Sequence, residues 1–146
     1  VWGFSGQAER TCGTGAIEHN LLFGGDYSLT RQEGIRDGIL PAGEVFPTRP
    51  FPNTNYTLAG LFLQDEITLL DGALSLFPAL RYDSYEIEPE DDALYPLAVV
   101  SQSDSRLTPR IGVVAWPSAH FGVFFNYAEG FKAPSPNQVN QSFTNA

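Results

Sequence analysis

Few residues of this chain have the types and spacing that catalysis or metal binding requires. The two histidines, His19 and His120, are far apart in the sequence, and Cys12 is the only cysteine, so an internal disulfide and a thiolate metal cluster are excluded. The sequence contains no nucleophile elbow, no His-Glu-x-x-His and no glycine-rich phosphate loop after a strand. The acidic run from Glu88 to Asp92 lacks metal-ligand spacing and is typical of a solvated surface. We therefore predict that the protein is not an enzyme and has no metal site.

Charge and composition exclude further classes. The formal net charge is −9 at pH 7, with eight basic residues, which argues against nucleic-acid binding because that function requires clustered Lys and Arg. No apolar run approaches the roughly twenty residues of a membrane helix, and no signal peptide opens the chain. Because Val1 is not a natural start, we interpret the chain as a piece of a longer protein.

Apolar residues recur at every second position, which is the period of a β-strand. Five runs show this alternation, at 17–29, 59–69, 74–82, 107–115 and 121–127. Residues 1–15 are ambiguous and are interpreted as the end of a preceding strand, with a turn-like stretch at 12–15. The five runs are 7 to 13 residues long, longer than most strands of soluble proteins, and the longer runs reach the length of membrane-crossing strands.

Long and short connections alternate between these runs. Segments 30–55 and 86–105 are long and polar, whereas 70–72 and 117–118 are short. This pattern is typical of outer-membrane barrels, which have long extracellular loops and tight periplasmic turns. It predicts that the short turns face the periplasm.

The alternation places several charged side chains on the phase that would face a barrel lumen. Arg81, Asp83 and Arg110 lie on this polar phase, where they could contact a plug or an anionic ligand, or form ion pairs across neighbouring strands. Asp65 lies on the apolar phase, so we expect either a bulge there or a position near the membrane interface.

Period-two alternation also occurs in soluble antiparallel sheets that have one wet face. The alternative is therefore a soluble extracellular β-sandwich that binds carbohydrate or acts in adhesion. Trp2 and Trp116 would then serve as sugar-binding platforms.

Three stretches together resemble the barrel of TonB-dependent outer-membrane receptors. They are HNLLFGGDYS (19–28), LFLQDEITLLDGALSLFPALRYDSYEI (61–87) and SRLTPRIGVVAWPSAHFGVFFNYAEGFKAPSPNQV (105–139). The resemblance implies an all-β fold of antiparallel transmembrane strands, a partial segment of a barrel of about 22 strands. It makes residues 1–146 part of that barrel domain, without the plug domain and the remaining strands. It also implies a location in the outer membrane of a Gram-negative bacterium.

The segment Phe131-Lys132-Ala133-Pro134 is similar to the FRAP motif of haem and haemoglobin receptors in this family, with Lys132 in place of the motif's Arg. The resemblance implies substrate contact by Phe131, Lys132, Ala133 and Pro134 on the extracellular side. The implied cargo is an iron chelate, with haem or haemoglobin iron first and a ferric siderophore as the alternative. This segment would bind no cofactor of its own. The implied partners are outer-membrane lipid, the receptor's own plug domain and remaining strands, and the TonB complex.

Overall fold

The computed structural model describes residues 1–38, 45–135 and 139. Six strands follow one another: β1 (Trp2–Thr14), β2 (Ile17–Gln32), β3 (Thr54–Leu69), β4 (Leu74–Pro89), β5 (Gln102–Ser118) and β6 (Phe121–Ala128), with a single 3₁₀ turn at Leu70–Gly72. They pair antiparallel, in chain order, in one sheet. The predicted all-β antiparallel fold is confirmed. Within the described residues, no helix has both the length and the hydropathy that a membrane-spanning helix needs.

The ambiguous N-terminal stretch is a complete strand. β1 has 13 residues and pairs with β2 from Trp2↔Leu29 to Thr14↔Ile17. The predicted turn at 12–15 starts too early, because Cys12 and Gly13 are in the strand and the chain turns at Gly15, whose φ is 67°. The alternation in β1 is weak in the sequence because glycine and polar residues occur on both of its faces.

The strands extend beyond the apolar runs that predicted them. β2, β3 and β4 have 16 residues each and β5 has 17, whereas β6 has 8. The predicted loop at 86–105 is consequently too long, because Glu86 and Glu88 belong to β4 and residues 102–105 belong to β5. Backbone pairing needs no apolar side chain, so polar residues continue the ladder at both ends. The long connections are 33–53 and 90–101.

The register gives the sheet two chemically different faces. The apolar face is defined by rows such as Phe23↔Leu63↔Leu80, and the polar face by rows such as Asp26↔Gly60↔Asp83. Large side chains of the apolar face are open to the surroundings: the exposed fractions are 64% for Leu61, 43% for Leu80, 42% for Ile111 and 48% for Val123. These four side chains do not form a closed interior.

Buried side chains concentrate where the sheet meets the long connections. Tyr85, Ile87 and Tyr95 are 5%, 0% and 4% exposed, and Pro52 is fully buried. The two long connections also bond to each other, since the Arg49 N–H donates to the Leu94 carbonyl at 2.9 Å. This end of the sheet is therefore a packed unit, whereas the two faces below it are open.

The bulge expected at Asp65 is absent. Pairing on both sides of it keeps the same register, with Gln64 opposite Ala79 and Ile67 opposite Leu76. The side chain of Asp65 therefore stays on the apolar face. A register shift is found instead between β5 and β6, from Ala115 to Ser118.

Candidate functional site

An arginine on the polar face is held by two carboxylates from different strands. Arg81 in β4 donates from Nη2 to Asp26 Oδ1 of β2 at 2.8 Å and from Nε to Asp83 Oδ1 at 2.7 Å. β3 runs between these strands, and its residue opposite both aspartates is Gly60. A Cβ at Gly60 would overlap Arg81 Nη2. The guanidinium therefore lies over bare backbone, and Asp26, Gly60, Arg81 and Asp83 together form what we call the arginine clasp.

The segment that follows β6 folds back over this face. The ring of Phe131 stacks on Tyr85 with centroids 6.1 Å apart and planes 29° apart, and the Glu129 N–H donates to the Pro109 carbonyl at 3.2 Å. An aromatic ring in the segment thus meets an aromatic ring at the buried end of β4, which explains why the chain turns inward after Ala128.

The inward turn brings together two groups of residues that the sequence singled out separately. Phe131, Lys132 and Ala133 line a pocket of about 530 Å³ together with Arg81 and Asp83. We call it the polar-face pocket. Pro134 is not among the residues that line it.

Arg110 occupies a neighbouring position rather than the polar-face pocket. It lines an adjacent cavity of about 380 Å³ with Phe62 and Gln64. Arg81 and Glu129 line both cavities, so the two spaces are contiguous along the polar face. Arg110 makes no ion pair within the described part of the chain. Arg81 pairs with Asp26 of β2, across β3, and with Asp83 of its own strand.

The polar-face pocket combines charge with aromatic surface. Asp26, Asp83 and Glu129 supply three carboxylates, and Arg81 and Lys132 supply two cations. Lys132 is exposed and has no ion pair among the described residues. Such a lining can hold a ligand that has both a flat apolar part and charged substituents.

Three contributors were missed from the sequence. Asp26 and Tyr56 line the polar-face pocket, and Tyr85 contacts Phe131. Asp26 lies in the stretch FGGDYS, and the two tyrosines lie near strand ends, where nothing distinguishes them from other polar-phase residues. The signal that finds them is the strand register, which sets Asp26 and Asp83 on either side of Gly60.

A second cluster ties the long connections together. Arg49 donates from Nε to Asp92 Oδ2 at 2.7 Å and from Nη1 to the Gly34 carbonyl at 2.8 Å, and the Leu94 N–H donates to Asp92 Oδ1 at 2.8 Å. The Leu94 hydrogen bond, with help from Arg49, lowers the pKa of Asp92 below its usual value. The acidic stretch thus includes a residue that orders a loop as well as residues that are only solvated.

Neither histidine is near the polar-face pocket. His19 is on the apolar face, with Nδ1 2.7 Å from Asp65 Oδ2, and His120 is in the turn between β5 and β6. Cys12 is exposed. Among the described residues, no group of three or more His, Cys, Asp or Glu side chains could hold a metal ion.

The apolar side chains form a diagonal band across the sheet. At the long-loop end of the sheet, the band begins at Leu29 on β2. The residue in the row of Leu29 on β5 is Ser103, which is polar, and on that strand the band begins only at Leu107. At the short-turn end of the sheet, the band stops at Ala8 on β1, whereas on β4 it continues as far as the turn. An antiparallel sheet with one exposed, diagonally banded apolar face and an opposite polar face carrying a pocket is a segment of a barrel wall.

Comparison with known proteins agrees with this class. Residues 2–146 match the family model described as TonB dependent receptor-like, beta-barrel, and the chain therefore belongs to this family of outer-membrane receptors. A protein named hemin receptor from Yersinia enterocolitica is 28% identical over 107 residues. That match covers 73% of this chain and 14% of the receptor's length.

Proposed function

We propose that this chain is part of the barrel wall of a TonB-dependent receptor that imports an iron chelate, with haem as the first candidate. Residues 1–146 would supply six barrel strands and two extracellular loops, and the plug domain, the remaining strands and the TonB complex would be the other working parts. The observation that carries the proposal is the folding of residues 131–133 onto the polar face, where they share a pocket with Arg81 and Asp83. The name of the Yersinia relative supports haem as the cargo.

Membrane placement is supported by the slope of the apolar band. The start of the band moves by two rows between β2 and β5, from the row of Leu29 and Ser103 to that of Leu107. This is about 13 Å along the strands for about 14 Å across them, which gives a tilt of about 45°. Strands of outer-membrane barrels tilt by about 35–45°. If the band is horizontal in the bilayer, the strands have the tilt that a barrel requires.

Aromatic residues mark the edge of the band at the long-loop end. The ring of Tyr27 is 5.5 Å from that of Trp2 and 5.7 Å from that of Phe4, all on the apolar face. Aromatic girdles occupy this level in outer-membrane barrels. Because such barrels have long extracellular loops and short periplasmic turns, we assign the connections 33–53 and 90–101 to the extracellular side and the short turns to the periplasm. The polar face would then line the lumen.

The pocket chemistry fits haem in two respects. Haem is flat and apolar, which suits contact with Phe131, and it carries carboxylates, which suit Lys132 and Arg81. A ferric siderophore is the second candidate, because many such chelates carry negative charge that the same cations would attract.

The sandwich alternative receives no support, since the described residues form one sheet and the family match covers nearly the whole chain.

An uptake experiment tests the proposal and distinguishes haem from a ferric siderophore as the cargo. In cells that depend on the full-length receptor for iron, the double variant Phe131→Ala, Lys132→Gln is compared with Phe124→Ala, whose aromatic side chain is 84% exposed and does not line the pocket. We expect similar receptor amounts in the outer membrane and about tenfold slower haem uptake in the double variant only. Slower uptake of a ferric siderophore alone would favour the second candidate. Normal uptake of both chelates would refute a role for this pocket.

A further inference from the structure

The apolar face has one polar corner, which lies beyond the apolar band at the short-turn end. Arg10 of β1 and His19 of β2 belong to it. Asp65 of β3 adjoins it from inside the band, because Ile67 and Leu69 follow Asp65 on the same face. We call Arg10, His19 and Asp65 the corner cluster. Arg10 and Asp65 lie in the same row, on either side of Leu21. The band ends just before this row on β1, whereas on β4 it continues to Leu74.

Asp65 fixes the orientation of the histidine ring. With Nδ1 2.7 Å from Asp65 Oδ2, the ring donates its Nδ1–H to the carboxylate, and Nε2 is directed away from it. The side chains are 31% exposed for His19 and 16% for Asp65. Asp65 Oδ1 is buried and has no hydrogen-bond partner among the described residues, so the carboxylate is held on the sheet and the imidazole is the part that reaches outward.

Arg10 places a second cation beside the ring. The residues opposite each other are Arg10 with Leu21 and Cys12 with His19, so Arg10 and His19 are diagonal neighbours on adjacent strands. Diagonal neighbours are about 7–8 Å apart at their backbones, within the common reach of two long side chains. Arg10 is exposed and has no ion pair among the residues that the structure describes. When His19 is an imidazolium, one anion between Arg10 and Nε2 of His19 would accept hydrogen bonds from both groups.

We propose that Arg10 and His19 bind the phosphate of a phospholipid headgroup in the periplasmic leaflet of the outer membrane, with Asp65 as a positioning residue. The proposal rests on the membrane placement argued above, which puts this corner at headgroup depth and the neighbouring Leu21 and Leu63 against the acyl chains. In the imidazolium form of His19 both ring nitrogens are donors, so Nδ1–H donates to Asp65 and Nε2–H to the phosphate. Two cations then face one carboxylate and one phosphate, so the site is close to neutral when it is occupied.

Native mass spectrometry of the full-length receptor tests this site. The probes are dioleoylphosphatidylglycerol and, as a phosphate-free lipid of the same chains, dioleoylglycerol. We expect the double variant Arg10→Gln, His19→Gln to retain about tenfold less phosphatidylglycerol than the wild type and the same amount of dioleoylglycerol. Arg31→Gln is the matched control, because Arg31 is on the same face at the opposite end of β2 and pairs with Glu90; it should retain lipid as the wild type does.

The outcomes separate this site from the proposed function. Equal retention of phosphatidylglycerol by the wild type and the double variant overturns the site, and so does displacement of the lipid by inorganic phosphate, which would indicate a site for the free anion. Recovery of the receptor in the outer-membrane fraction is measured separately. A receptor that is found there but shows no lipid preference would refute only the corner cluster, whereas its absence from that fraction would refute the membrane placement and the site together.

Discussion

A single methyl group at Gly60 is expected to open the arginine clasp. In Gly60→Ala, the new Cβ would occupy the position of Arg81 Nη2, and the backbone of β3 cannot move away because it is paired with a strand on each side. The guanidinium is the group that must shift. Its hydrogen bonds to Asp26 and Asp83, at 2.8 and 2.7 Å, cannot both survive that movement.

The cost follows from the two hydrogen bonds and their exposure. A hydrogen bond to a charged group contributes about 1.5–3 kcal/mol when it is well shielded. Here the side chains are 39% exposed for Arg81, 42% for Asp26 and 22% for Asp83, so solvent screening reduces each contribution to a fraction of that value. We expect Gly60→Ala to lower the free energy of unfolding by about 1–2 kcal/mol in total.

Urea unfolding of the full-length receptor in lipid vesicles measures this cost. Gly6→Ala is the control, because a Cβ at Gly6 meets no atom within 4 Å and the substitution changes the entropy of the unfolded chain in the same way. In the background Arg81→Gln, the difference between the two alanine variants should largely disappear. If Gly60→Ala costs no more than Gly6→Ala, or costs as much without the arginine, the clasp does not explain why glycine is needed there.

Two further predictions concern the apolar face and the long connections. Leu61→Arg should destabilise the receptor in the same assay by about 2–4 kcal/mol if Leu61 faces lipid, whereas Gln64→Arg, on the polar face, should have little effect; equal effects would contradict the assignment of the faces. The Leu94 N–H lowers the pKa of Asp92 in the folded protein. The stability that the Asp92 contacts with Leu94 and Arg49 contribute should therefore be complete above about pH 4, the usual pKa of an aspartate, and should be lost as the pH falls through the lowered pKa of Asp92 in the folded protein. At neutral pH, Asp92→Asn should therefore speed amide hydrogen exchange in the connections, Asp91→Asn should not, and equal rates in both would contradict this role.

The sequence was sufficient for the faces of the sheet and insufficient for its limits. Alternation assigns Leu61 and Arg81 to opposite faces because side-chain direction has a strict period of two. The ends of β4 could not be found in this way, because Glu86 and Glu88 continue the backbone ladder without an apolar partner. β1 was missed for a related reason: its identity as a strand depends on pairing with β2 more than on its own pattern.

The candidate site was predictable in parts but not as an assembly. The motif at 131–134 and the lumen assignment of Arg81 came from different arguments, and only the inward turn after Ala128 unites them. That turn depends on Phe131 meeting Tyr85, a contact between residues that are far apart in sequence. Long-range contacts of this kind leave no local periodicity, so sequence patterns cannot reveal them.

The strand tilt was predictable only in part from the sequence. The offsets between the apolar runs are present in the sequence, but the strand register is needed to convert them into a tilt. The apolar alternation of β4 starts at Leu74, directly after its turn, whereas in β2 the unbroken apolar stretch starts at Leu21, beyond His19. Taken singly, these offsets look like irregularities. Once short turns fix the pairing, they become one slope. That slope carries His19 out of the apolar band, whereas Asp65 is followed on the same face by Ile67 and Leu69. Under the proposed membrane placement, the same offset puts His19 at the level where a membrane presents headgroups. The tolerance of Asp65 on an otherwise apolar face then follows from its hydrogen bond with the His19 ring, at 2.7 Å.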